Sequence, residues 1–271
     1  MPELPEVETT RLGLLPLVQG KRIAKVTVRD ARLRWPIPPD FSRQLKGRIV
    51  RDLSRRGKYL LWDCESGFIL SHLGMSGSLR VLPAAAPPNK HDHVDIAFDN
   101  GSVIRYTDPR RFGALLWIAG DHPVHPLLDA LGPEPLSPEF DAASLYDASR
   151  SRAVSVKEFI MNSHVVVGVG NIYASESLFM AGIHPRKTAG NISSARYEKL
   201  VTAIKETLSR AIRAGGSSLR NYVQASGELG YFQVNAFVYD REGLPCRTCA
   251  TPIRAIRQGQ RSTYFCPVCQ K

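Results

Sequence analysis

At 271 residues the chain exceeds what one hydrophobic core usually organises, since single cores stop growing at about 250 to 300 residues, so more than one core is expected. A hydrophobic share of 43% with 23% charged residues excludes global disorder. The outlier is charge: 36 Lys+Arg against 25 Asp+Glu leave +11, which points to a polyanion, nucleic acid or an anionic membrane surface, without choosing between them.

No stretch approaches the roughly 20 apolar residues of a membrane span. The start, MPELPEVETT, carries acids where a signal peptide carries bases and an apolar run, so a cytoplasmic protein is expected. Glu6 to Leu17 reads as a helix, with Pro5 at its start, acids in the first turn, and Val7, Leu14 and Leu15 on one face. Short apolar or alternating runs then follow at Arg22–Val28, Ile49–Leu53, Lys58–Trp62, Phe68–Leu73, Ser78–Leu82, Val94–Phe98, Ser102–Tyr106 and Ala114–Ile118. Each is bounded by Gly, Pro, Asn or Asp, the pattern of a β-sandwich or barrel.

Pro123, Pro126, Pro133, Pro135 and Pro138 break helix and strand alike and mark a linker. Four segments result: residues 1–120, the linker 121–140, residues 141–236 and a tail 237–271. Beyond the linker the period changes to that of helices. Asn171–Ala181 has Asn as N-cap and Gly182 just past its end, and Ser194–Ala214 sets Leu200, Val201, Ile204, Leu208, Ala211 and Ile212 on one stripe before Gly215. Gly168 and Gly170, just ahead of the first of these helices, allow close backbone approach, and free N–H groups at a helix start favour an anion.

The tail is too short for a core of its own. Cys246-x2-Cys249 and Cys266-x2-Cys269, with 16 residues between the pairs, match the spacing of a four-thiolate zinc site. Four thiolates leave no open position for water, so the zinc is structural. Arg254, Arg257 and Arg261 lie between the pairs, with no acid from residue 243 onward, a set of cations suited to phosphates. The fifth cysteine, Cys64, sits in an apolar run as a small core residue.

Several strings occur together and in order: Met1-Pro-Glu-Leu-Pro-Glu-Val-Glu-Thr9, Gly57-Lys-Tyr59, His72-Leu-Gly-Met-Ser-Gly77, Lys90-His-Asp-His-Val-Asp95, Tyr106-Thr-Asp-Pro-Arg-Arg-Phe-Gly113, Gly168-Val-Gly-Asn-Ile-Tyr-Ala-Ser-Glu176 and the cysteine tail. Over essentially its whole length the chain resembles the bacterial formamidopyrimidine-DNA glycosylases, base-excision enzymes that remove oxidised purines. The resemblance implies an α+β multidomain fold: an N-terminal β-sandwich with flanking helices, a helix-two-turn-helix domain and a C-terminal β-hairpin zinc finger. It implies damaged double-stranded DNA as partner, one structural zinc ion, no membrane, and a monomer.

It also implies roles. With the initiator Met removed, Pro2 becomes the N-terminus and its secondary amine the nucleophile; an α-amino group has a reference pKa near 8, so a useful fraction is neutral at working pH. Glu3 matches the family's acid/base carboxylate, Lys58 the lysine assigned to β-elimination, and Arg261 the zinc-finger arginine linked to δ-elimination. Because a guanidinium does not readily release its proton, phosphate clamping is the physical role expected of Arg261. Met75, Arg110 and Phe112 match residues inserted beside the orphaned base when a nucleotide is extruded. His91, Arg110 and Arg152 match DNA contacts, and Asn171 and Lys157 are further expected contacts.

The sister enzyme, endonuclease VIII, shares Pro2-Glu3 and the zinc finger but prefers oxidised pyrimidines; Leu4 and the Pro-Arg-Arg-Phe string favour the purine enzyme. A non-catalytic damage sensor on the same scaffold is disfavoured by the joint presence of Pro2, Glu3, Lys58 and Arg261. The chain departs from the family at Asn162-Ser163-His164 and at Ala225-Ser226, ahead of Gly230-Tyr-Phe-Gln233, which bears on base preference.

Overall fold

A computed structural model describes residues 2–83, 86–217 and 235–271. The described residues form two compact units: those up to Asp129 together with 215–217, and Ala130–Ala214 together with 235–271. The departure at Ala225-Ser226, the string Gly230-Tyr-Phe-Gln233 and the fate of Met1 lie outside the described residues.

The first unit is a β-sandwich of two four-stranded antiparallel sheets. One sheet runs in the order β1 (Ile23–Val28), β6 (Asp92–Phe98), β7 (Val103–Thr107), β5 (Ser78–Leu82). The other runs β2 (Asp52–Arg56), β3 (Tyr59–Asp63), β4 (Gly67–His72), β8 (Ala114–Ala119). Alternation decides the faces. Leu60 and Trp62 of β3, Ile69 of β4 and Leu115 of β8 point into the main core with Val94, Ile96 and Ile104 of the other sheet, while Leu61, Leu70, Leu116 and Ile118 point to a second cluster on the outer face. Trp62 is wholly buried, and its indole N–H donates to Ser71 Oγ at 3.0 Å.

Helix α1 (Leu4–Val18) buries Val7, Leu14 and Val18 in the main core, and α2 (Phe41–Leu45), which has no clear sequence signal at five residues, adds Phe41 and Leu45. One expectation is corrected here. The proline-rich stretch is not wholly irregular, because Pro126 opens a one-turn helix, α3 (Pro126–Asp129), whose Leu127 and Leu128 cover the outer cluster. Proline is tolerated there since first-turn N–H groups lack helical partners anyway. The second expected strand is also displaced: Asp52–Arg56 is observed, because Ile49 is held only in a bridge with Arg22.

The second unit contains α4 (Ala142–Ser149), α5 (Val156–Ile160), α6 (Asn171–Met180) and α7 (Ser194–Arg213), followed by the hairpin β9 (Arg254–Gln258) and β10 (Arg261–Phe265). The amphipathic α7 buries the expected Leu200, Val201, Ile204, Leu208 and Ala211. Asn171 is the first helical residue and not the N-cap; Gly170 caps α6 with extended backbone. Gly182, at φ +66°, ends it as expected.

Replacing Trp62 by Ala leaves a large cavity and an orphaned hydroxyl in the core of the first unit. The expected loss is about 4 kcal/mol, read as a lower urea midpoint for that unit.

Candidate active site

The chain start is held as few termini are. Pro2 is buried and Glu3 is 2% exposed, immediately before α1. Glu6, fully buried in the first turn of that helix, accepts the backbone N–H of Glu3 on Oε2 at 2.8 Å. Its other oxygen accepts both the backbone N–H and the hydroxyl of Ser217, at 2.8 and 2.9 Å. A carboxylate at a helix N-terminus is favoured by the dipole, and three donors offset its desolvation. Gly216, at φ +80°, passes so close that a Cβ there would press on Glu6 Oε1 at 3.2 Å.

Lys58 follows from the docking of α1. Arg11 donates to the Leu53 carbonyl at 3.2 Å, and Arg55 Nε reaches Glu8 Oε2 at 2.9 Å, so the helix runs antiparallel to β2. From Arg11 back to Leu4 is about 10 Å of helix, and from Leu53 on to Gly57 about 13 Å of strand, so the helix start and the turn after β2 lie at the same end of the sheet. That turn is Gly57-Lys58, two residues joining Arg56 to its partner Tyr59, with Gly57 at φ +59° as a II′-type hairpin turn requires. Burial works against ionisation of Glu8, yet Arg11 and Arg55 hold its carboxyl below its ordinary value.

His72, at the end of β4, is the residue that sequence reasoning passes over. Its ring packs on Tyr59 with centroids 4.7 Å apart, and its Nδ1 accepts the Gly74 N–H at 3.1 Å. Burial, then the positive charges of Lys58 and Arg34, hold its pKa down at about 4. The imidazole is therefore neutral at working pH, and it lines a pocket of about 400 Å³ with Arg34, Trp35, Tyr59 and Phe112. The signal was present in the string His72-Leu-Gly-Met, which draws attention to Met75 instead.

Met75 and Phe112 are exposed, at 38% and 43%, as loop-tip wedges require, and the Arg110 guanidinium lies over the Phe112 ring 5.0 Å from its centroid. His91 is partly exposed, its backbone carbonyl accepting from Asp108 N–H at 3.0 Å.

In the second unit, Arg152 is exposed and lines a pocket of about 460 Å³ with Glu139, Glu158 and His164. Asn171 donates through Nδ2 to the Ser262 carbonyl at 3.0 Å. Lys157 is corrected: it is 2% exposed, its ammonium bound to Asn171 Oδ1 at 2.6 Å and Thr263 Oγ1 at 2.7 Å, which makes it a tie between α5, α6 and the hairpin and not a surface contact. His164, at the departure from the family pattern, is exposed and makes a 2.6 Å hydrogen bond through Nδ1 to the Ala130 carbonyl.

Arg261 is exposed, opposite Gln258 at the tip of the hairpin. The tail's rigidity comes from two sources. The Sγ atoms of Cys246, Cys249, Cys266 and Cys269 all lie within 4.8 Å of one another, the separation expected around a tetrahedral ion with zinc–sulfur bonds near 2.3 Å. Phe179 of α6 completes a small apolar cluster with Val238, Ile253, Cys246 and Cys266. Fully buried Glu176, also on α6, accepts the backbone N–H groups of Phe237, Val238 and Tyr239 at 2.8 to 2.9 Å. Sequence reasoning gives Glu176 no role, because three backbone donors from 61 to 63 residues away are invisible in a linear pattern.

A buried chain start on a β-sandwich, a helical unit and a thiolate finger carrying exposed arginines define a DNA-repair glycosylase of the zinc-finger type. Residues 1–115 match the model of the formamidopyrimidine-DNA glycosylase N-terminal domain, residues 131–223 that of its H2TH domain, and residues 243–271 the zinc finger found in FPG and IleRS. The formamidopyrimidine-DNA glycosylase of Thiobacillus denitrificans is 59% identical, and that of Burkholderia vietnamiensis 57%, each alignment covering 100% of both chains. Among solved structures, MutM (FPG) of Thermus thermophilus superposes with TM-score 0.89 at 37% identity, covering 99% of this chain and 98% of that one. Lactococcus lactis Fpg in complex with abasic-site DNA superposes with TM-score 0.92 at 34% identity over 99% of both. The chain belongs to the formamidopyrimidine-DNA glycosylase family. Its cofactor is one structural zinc, for which the four cysteines supply the complete ligand set.

Two predictions follow from this geometry. His72 has a folded pKa near 4 against 6.5 for the unfolded chain, so the unfolded state binds the extra proton and stability falls as pH drops through that interval. His72→Gln is expected to flatten this part of the stability curve, read from urea midpoints between pH 7 and 4. Metal analysis is expected to find one zinc per chain, and Cys266→Ser to lose it, with residues 243–271 becoming rapidly cleaved by protease while the sandwich resists.

Proposed function

We propose that this bifunctional DNA glycosylase and abasic-site lyase excises oxidised purines, 8-oxoguanine and formamidopyrimidines, from duplex DNA with the amine of Pro2. The observation that supports this reading is the burial of Pro2 and Glu3, with the Glu3 N–H held by Glu6, at a position where chains are normally mobile. A nucleophile held in place has its entropic cost met before the substrate arrives.

With Met1 removed, the Pro2 lone pair attacks C1′ and the bond to the damaged base breaks, its electrons leaving with the base. The proton of the attacking nitrogen passes to the departing base, and Glu3 gives a proton to the sugar ring oxygen as the C1′–O4′ bond opens, leaving an iminium between the Pro2 nitrogen and C1′. That cation draws electrons from C2′, whose proton is then lost to a base, and the C3′–O bond breaks with the phosphate taking the pair. Lys58 serves this β-elimination; a second elimination releases the 5′ phosphate. Water then hydrolyses the iminium and frees Pro2.

Arg261 clamps a phosphate from the hairpin tip, with His91, Arg110, Arg152 and Asn171 as further DNA contacts. Lys157 acts from beneath by fixing Asn171. Met75, Arg110 and Phe112 fill the gap left by the extruded nucleotide, offsetting an unstacking cost of a few kcal/mol. The zinc ion, when bound, holds the hairpin rigid and takes no part in bond breaking. The enzyme acts as a monomer in the bacterial cytoplasm; no described helix is long and apolar enough to cross a membrane.

The test is borohydride trapping on a duplex carrying one 8-oxoguanine. Wild type is expected to give a covalent adduct, and Pro2→Gly and Pro2→Thr to give little or none; an undiminished adduct in either variant overturns the assignment of Pro2. Stronger trapping on an oxidised pyrimidine would move the enzyme to the sister specificity.

A further inference from the structure

We propose that Asp108 is a positioning residue that locks the loops bearing Met75, Arg110 and Phe112 into one rigid wedge, an inference that rests on the wedge reading above. Asp108 is fully buried between β7 and the loop that follows it. Its Oδ1 accepts the hydroxyl of Ser76 at 2.9 Å and the backbone N–H of Arg110 at 3.3 Å, and its Oδ2 accepts the backbone N–H of Gly113 at 2.9 Å and the hydroxyl of Tyr106 at 3.2 Å. Ser76 is the neighbour of Met75, and Gly113 the neighbour of Phe112. One carboxylate thus grips the chain beside each apolar tip. Its backbone joins a third segment: the N–H donates to the His91 carbonyl at 3.0 Å, and the carbonyl accepts from His93 Nε2 at 2.8 Å.

The two tips also meet backbone to backbone. A Cβ on Gly74 would stand 2.5 Å from the Phe112 carbonyl carbon and 2.6 Å from Gly113 N, so glycine is required for the loops to close on each other. Arg111, between the contacts made by Arg110 and Gly113, is held in left-handed backbone at φ +57°. A non-glycine residue keeps that conformation only when its surroundings impose it. Here its carbonyl accepts from Arg34 N–H at 2.7 Å, and its guanidinium pairs with Asp30 at 2.7 Å.

The chemistry selects a carboxylate. These four donors to the Asp108 carboxylate are hydroxyls or backbone N–H groups, and only an acceptor on both oxygens satisfies them together. In Asp108→Asn the amide NH2 must face either Gly113 N–H, which then loses its acceptor, or Arg110 N–H, which then keeps only its 3.3 Å bond to Ser76 Oγ, and a backbone donor cannot reverse as a hydroxyl can. The substitution keeps the volume, opens no cavity, and loosens one tip relative to the other. A wedge that is loose before binding loses freedom on insertion, and that cost falls on the step in which the damaged base leaves the stack. A preformed abasic site has no base to extrude.

The experiment compares two single-turnover rates for the full-length, zinc-loaded enzyme: excision of 8-oxoguanine opposite cytosine, and borohydride trapping on a preformed abasic site in the same sequence. The readout is the ratio of excision to trapping. Asp108→Asn, Met75→Ala and Phe112→Ala are each expected to lower it by about tenfold, and Ser76→Ala by about threefold. Combining Asp108→Asn with Met75→Ala is expected to add less than the product of the single effects, since both act through one wedge. If the ratio is unchanged in Asp108→Asn while both rates and the melting temperature fall together, Asp108 is merely structural and the inference is overturned. A ratio lowered by Met75→Ala but by neither Asp108→Asn nor Ser76→Ala overturns it as well and leaves the wedge standing. If Met75→Ala and Phe112→Ala leave the ratio at the wild-type value, the wedge reading fails and takes this inference with it. Should Asp108→Asn not fold, Ser76→Ala alone carries the comparison.

Discussion

A reaction run from the end of the chain imposes one constraint before all others: the end must not move. Termini fray because nothing continues the hydrogen bonding beyond them. In this enzyme two buried carboxylates meet it, Glu3 and Glu6, in a reciprocal capping box at the start of α1. Glu6 binds the N–H of Glu3 on one side and Ser217 on the other, joining residues 211 positions apart in sequence. The cost of burying that charge is offset by three hydrogen bonds and by the positive end of α1. The docking of α1 along β2 through Arg11, Glu8 and Arg55 then carries the fixed start to the turn that holds Lys58.

The same device recurs. Glu176 gathers three consecutive backbone N–H groups at the entry to the zinc finger, and Asp108 gathers the loops that carry Met75 and Phe112. In each case an acid within a basic protein is buried and accepts hydrogen bonds from backbone N–H groups of another segment. The charges are thus divided by burial: cations such as Arg110, Arg152 and Arg261 are exposed, while buried carboxylates organise the backbone beneath. Affinity drawn from exposed cations falls with salt, whereas the buried acids are shielded from it.

Strand positions were legible because the sandwich has two faces with different surroundings. Ser78–Leu82 is matched residue for residue, and most other strands to within one or two residues, since each is a short apolar or alternating run bounded by turn residues. The elements that escaped are short. Phe41–Leu45 and Pro126–Asp129 have too few residues to show a helical period, and they exist because Phe41, Leu45, Leu127 and Leu128 cover apolar faces supplied by distant strands. Propensity is too weak to form a single turn against the cost of nucleation; packing supplies the difference.

By itself, the sequence determined the β then α order, the four-thiolate tail and the family, and with the family the nucleophile, because these are written in local spacing: a period of two, a period near 3.6, a CxxC pair, a Pro-Glu start. Tertiary structure decided which polar residues are tools and which are struts. Lys157, with the charge of a phosphate contact, lies buried beneath Asn171; His72, unremarked in its string, is a neutral imidazole packed on Tyr59; and Glu6, Asp108 and Glu176 prove to be anchors. The difference is physical. A side chain's charge belongs to the residue, but its exposure and its hydrogen-bond partners belong to whatever distant backbone the fold brings against it.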